Sequence, residues 1–188
     1  MINSNELVSK PIIIDENEIL NLIKSPYKNK IYLYIRNYIN LSPNRYIKDC
    51  YDFQRRNEFT HKVSWAIPNS NVIYKIIEFS DNKQIVEVAA GHGLWASLIK
   101  RFNKDIIATD NFSTHGSKNL KTYTTVFNMD AETTVDKYLS KTDAINSVLM
   151  IIWPLYSNSL AVDTLKSFYN NGGTHFIFIG EDYGGCTA

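Results

Sequence analysis

Residues 84–96 read Gln84-Ile85-Val86-Glu87-Val88-Ala89-Ala90-Gly91-His92-Gly93-Leu94-Trp95-Ala96, and their reading decides the fold. The apolar run 85–89 has the length and the β-branched content of a buried strand. Gly91 and Gly93 then mark a turn in which the backbone passes where a Cβ would obstruct. Residues 94–102 return to helical spacing. A strand, a glycine turn and a helix in this order open a βαβ unit. The same rhythm continues downstream. Residues 105–109 read as a second strand ending at Asp110, 124–127 as a third, 147–152 as a fourth and 175–179 as a fifth. Helices fit 133–140 and 159–169, the latter stopped at Asn171-Gly172-Gly173. Alternating strands and helices predict an α/β fold, a doubly wound, mostly parallel sheet of about five strands.

Upstream the texture differs. All eight glycines lie at or after Gly91, while Pro11, Pro26, Pro43 and Pro68 punctuate the first ninety residues. Short apolar patterns of helical period, such as Ile19, Leu20, Leu22 and Ile23 after a capping Asp15, predict helices there. The expected organisation is a helical N-terminal extension over 1–60 and a sheet domain over 61–188, joined in one compact domain. After Pro68 a helix is expected to bury Val72, Ile73, Ile76, Ile77 and Phe79.

The 188 residues, with 44% hydrophobic and 21% charged content, fit one globular domain with a real core. Net charge is +1, so no overall field drives the chain onto nucleic acid or membrane. No apolar run approaches the roughly 20 residues of a membrane span. The polar Met1–Lys10 is not a secretory signal, and Cys50 and Cys186 have no metal-type spacing partner. A reduced, cytoplasmic setting is expected. The bias towards Ile, Asn, Lys and Tyr points to an AT-rich genome, such as that of a parasite or a large DNA virus.

The chemistry concentrates at the glycine turn. Seventeen residues after Gly93, Asp110 ends the next strand, where a carboxylate can accept both ribose hydroxyls of an adenosine. The spacing Gly91-x-Gly93-x-x-Ala96 also satisfies the dinucleotide fingerprint. Glu87 speaks against that ligand, because a carboxylate just before the turn repels a pyrophosphate. It suits a ligand with an amino group and a sulfonium, such as S-adenosylmethionine (SAM). A plain strand–turn–helix without a ligand is the bland alternative.

Glu-x-x-x-Gly-x-Gly followed by Asp at the end of the next strand resembles the signature of class I SAM-dependent methyltransferases, over about residues 62–188. The resemblance implies SAM as cofactor, with Glu87, Ala89, Gly91 and Gly93 around its methionine part, Asp110 on the ribose and Asp130, in Met129-Asp130-Ala131, on the adenine amino group. Trp153-Pro154-Leu155-Tyr156 stands where the family carries its catalytic loop, which makes Trp153, Pro154 and Tyr156 the catalytic candidates. Ser64-Trp65-Ala66-Ile67-Pro68 and Gly180-Glu181-x-x-Gly184-Gly185-Cys186-Thr187 add a likeness to a little-characterised group within that superfamily. The departures are Ala89 for the first glycine, Trp153 for the Asp or Asn of amino methyltransferases, and Leu155 for a second proline. The sheet is also expected to lack the family's sixth and seventh strands. Its uncovered edge is then a site for a homo-oligomer.

The implied activity is methyl transfer to an acceptor that the sequence does not name, whether small molecule, RNA or protein. The alternative is a catalytically inactive relative that serves as a binding or scaffold protein. From Lys28 to Arg56 the chain holds seven Lys or Arg and two Asp, interleaved with tyrosines. Such a stretch can bind RNA through phosphate contacts and stacking, or it can be a helical cap with solvated lysines. The four histidines, His61, His92, His115 and His175, share no metal-ligand spacing, so no metal is expected. His92 sits inside the turn, where it touches a ligand or, more simply, faces solvent. Glu181-Asp182, after the fifth strand, are either a base or a solvated loop.

Overall fold

The computed structural model describes residues 64–66, 68, 70–113, 122–140 and 142–180. The expected extension over 1–60, the basic stretch from Lys28 to Arg56, His61, His115 and the segment from Glu181 to Thr187 lie outside the described residues.

Ten elements follow in order: α1 (Ser70–Ser80), β1 (Gln84–Val88), α2 (Leu94–Lys100), β2 (Ile106–Asp110), β3 (Phe127–Asn128), α3 (Ala131–Tyr138), a 3-10 turn (Ala144–Asn146), β4 (Ser147–Ile152), α4 (Leu160–Asn170) and β5 (His175–Ile179). The five strands form one sheet in the order β3-β2-β1-β4-β5. Every pairing is parallel, with Glu87 between Ala108 of β2 and Met150 of β4. The α/β reading therefore holds, with five strands, all of them parallel.

Strand alternation sorts the core into two layers. Ile85, Ala108, Val148 and Met150 face α1 and α2, and pack on Ile73, Ile76, Leu98 and Ile99. Val86, Val88, Leu149 and Ile151 face α3 and α4, and pack on Val135, Leu139 and Phe168. Helices thus cover both faces, which is why β1 and β4 read as continuous apolar runs. The exception is Glu87, which points into the first layer at 1% exposure.

The boundaries depart from the sequence expectation in two places. The third strand pairs only at Phe127 and Asn128, with Thr109 and Asp110, and not over 124–127. The preceding residues are held instead by the glycine turn and α2. The Tyr123 amide donates to the His92 carbonyl at 2.7 Å. Lys100 Nζ donates to Thr124 Oγ1 at 3.1 Å. In α1, Ile73 and Ile76 are buried as expected, but Phe79 is 49% exposed. Its ring rests beside His175, 5.5 Å away between centroids. No helix among the described residues is long and apolar enough to cross a membrane.

Candidate functional site

The chain runs from β1 outwards to β2 and β3, then returns to place β4 on the other side of β1. At such a reversal the crevice beyond the carboxyl ends of the strands is where open α/β sheets hold ligands. A cavity of about 170 Å³ lies there, walled by residues that follow β1, β2 and β4.

Three of the turns around it carry non-glycine residues in the left-handed region. Ala89 (φ 56°) follows β1, Phe112 (φ 54°) follows β2 and Trp153 (φ 53°) follows β4. Each conformation costs on the order of 1 kcal/mol or more, and such strain collects at functional sites. With Gly91 (φ 54°) and Gly93 (φ 73°), the turn alternates left-handed residues at 89, 91 and 93. Ala89 therefore adopts the conformation for which a glycine is usual.

Asp110 fastens this turn. One carboxylate oxygen accepts from the Gly91 amide at 2.8 Å, and the other from the Phe112 amide at 2.6 Å. The Ala90 amide donates to the Thr109 carbonyl at 2.9 Å and holds the turn to β2. Each carboxylate oxygen keeps a further lone pair for a ligand hydroxyl.

Glu87 lies at the base of the cavity. Its Oε2 is buried and has no hydrogen-bond partner. Burial pushes its carboxyl up to about 8, helped by the Asp110 charge, while the Ala96 backbone amide and Lys100 pull the other way. An acid this buried and half-satisfied is costly to the fold, and such groups mark functional sites more often than structural ones.

The sequence candidates separate into groups. Glu87, Ala89, Gly91, Asp110, Trp153 and Pro154 share the cavity wall. Gly93 does not, and its missing Cβ serves packing. A Cβ there would stand 2.6 Å from Val126 Cγ2 and 3.2 Å from Thr124 Cγ2. Tyr156 is 64% exposed and lies outside the wall. Asp130 caps α3, its Oδ1 accepting from the Thr133 amide at 2.8 Å. It lines an adjoining groove of about 470 Å³ between the starts of α3 and α4. Asn111, Asn158 and Leu160 border both spaces, which are therefore contiguous.

His92 stands in the cavity wall, half-buried, so the solvent-facing reading does not hold. The sequence reading also missed Trp95 and the wall position of Trp65. The Trp95 indole N–H donates to the Ala66 carbonyl at 3.0 Å, which ties the segment before α1 across the first turn of α2. A tryptophan directly after a glycine turn was the available signal.

Comparison with family models, with curated proteins and with solved structures found no match for this chain.

Proposed function

We propose that the chain is a SAM-binding protein of the class I methyltransferase type, with a Rossmann-like sheet, that passes a methyl group to an acceptor at the mouth of the cavity. The observation that carries this reading is the buried Oε2 of Glu87 without a partner, at the base of a cavity placed at the switch point of the sheet. A cationic group is what such an oxygen lacks, and the methionine amino group supplies one. A pyrophosphate would worsen its position, which argues against a dinucleotide.

In this reading Glu87 binds the amino group, and the turn at Ala89 and Gly91 lets the backbone approach the methionine part. Asp110 accepts from the ribose with the lone pairs that Gly91 and Phe112 leave free. The adenosine extends into the adjoining groove, where Asp130 meets the adenine amino group. When bound, SAM supplies a methyl group on a positively charged sulfur, which an acceptor lone pair displaces as a neutral thioether. Positioning provides most of such catalysis. Trp153 and Pro154, fixed beside the cavity by the Trp153 amide donating to the Ile179 carbonyl at 2.7 Å, hold the acceptor.

Calorimetric titration with SAM and with S-adenosylhomocysteine (SAH) tests the proposal. Binding of both is expected, and Asp110→Ala abolishes it. No heat from either ligand refutes the reading. The second reading is a scaffold that keeps the fold without turnover. It is favoured by Tyr156 standing outside the cavity, and it predicts that SAM binds but no acceptor is methylated.

A further inference from the structure

All three tryptophans of the chain, Trp65, Trp95 and Trp153, stand in the wall of one cavity. They come from separate places, namely the segment before α1, the first turn of α2 and the turn after β4. Trp95 is buried, while Trp65 and Trp153 are half-buried, towards the solvent side. The same wall holds the carboxylates of Glu87 and Asp110 and no Lys or Arg. The adjoining groove holds Asp130, Glu132 and Asp163, again without Lys or Arg.

Each feature selects a charge. A carboxylate, phosphate or nucleic-acid acceptor would meet five carboxylates and no lysine or arginine in these walls. Indole rings attract cations, and do so best when the cation has left bulk water. Glu87 is already assigned to the methionine amino group, so the rings of Trp65 and Trp153 are left for a second ligand.

We propose that the outer part of this cavity, between Trp65 and Trp153, binds a small organic ammonium, and that the methyl acceptor is accordingly an aliphatic amine. The proposal rests on the SAM reading above and adds the acceptor class. In the transfer, the amine lone pair forms the nitrogen–carbon bond, the carbon–sulfur pair stays on sulfur, and the nitrogen gives up a proton to solvent.

Intrinsic fluorescence tests it directly, because every tryptophan lines the cavity. The full chain, saturated with SAH, is titrated with tetramethylammonium chloride, a methylated ammonium that cannot lose a proton. Sodium chloride at equal ionic strength and sodium acetate serve as controls. The expected result is a saturable change with tetramethylammonium alone. Trp153→Leu and Trp65→Leu each weaken it on the order of ten-fold, whereas Trp153→Phe, which keeps a ring, stays within a few-fold of the parent.

If SAH binds but tetramethylammonium gives no saturable change, the acceptor class is wrong and the SAM reading stands. An equal response to acetate, or both leucine variants binding like the parent, overturns it too. Failure of SAH itself to bind overturns the SAM reading and the acceptor class with it.

Discussion

Glu87→Gln removes one titration from the protein while keeping the shape of the side chain and an oxygen for the Ala96 amide. The parent carboxyl is raised from 4.5 to about 8. The folded state therefore holds a proton that the unfolded chain releases at lower pH. The stabilisation of the protonated form is complete below pH 4.5 and is lost as pH rises through 8. Within that window each pH unit lowers the parent's stability, relative to Glu87→Gln, by about 1.4 kcal/mol, so the whole window is worth at most about 5 kcal/mol. Above pH 8 the difference is flat. Urea unfolding of both proteins at unit intervals from pH 5 to 9 measures it. The same proton couples to the ligand. At pH 7 a cation that binds the ionised carboxylate expels about one proton, and its affinity rises about ten-fold per pH unit up to pH 8. Calorimetry in buffers of different ionisation enthalpy counts that proton. Parallel stability profiles for the two proteins, or SAM binding without proton release, would refute the assignment of Glu87 as a buried acid awaiting a cation.

Asp110→Asn is expected to destabilise by about 1–3 kcal/mol, because two backbone donors lose their charged acceptor, and to weaken SAH binding as well. Denaturation and calorimetry read the two effects, and unchanged stability would contradict the turn-fastening role. Gly93→Ala combines a left-handed backbone with a Cβ 2.6 Å from Val126 Cγ2. A loss of about 2–4 kcal/mol is expected from strain and overpacking, whereas a stable variant that had merely lost ligand affinity would place Gly93 in the site after all. Ala89→Gly relieves a left-handed alanine at the expense of unfolded-state entropy, so its stability should stay within about 1 kcal/mol of the parent. A loss of several kcal/mol would show that the methyl group packs where no contact is expected.

Much of the fold was legible along the chain. The strands over 147–152 and 175–179 were read to the residue, because a fully apolar run bounded by turn residues has few other solutions. Asp110 at the end of β2 and Glu87 before the turn were found from spacing alone, since the strand and the glycine turn fix how far apart they stand. The third strand was misplaced because residues 122–126 have β propensity, yet their partners are the turn at His92 and the helix α2, which lie far off in sequence. Phe79 was read as core from helical period. Period gives a face, and only the packing of α1 beside β5 shows how wide that face is.

The division follows from the range of the forces. The sequence by itself determined the alternation of strands and helices, the glycine turn and the carboxylates at its flanks, because these depend on backbone propensity and local spacing. Tertiary structure alone decided what surrounds them. It buried Glu87 with one oxygen unsatisfied and turned both oxygens of Asp110 onto backbone amides. It set Gly93 against Val126 and Asp130 on the start of α3. It left Tyr156 in solvent, and it brought Trp65, Trp95 and Trp153 to one wall. Burial, dielectric and convergence of distant segments are properties of the packed chain, and no window of sequence contains them.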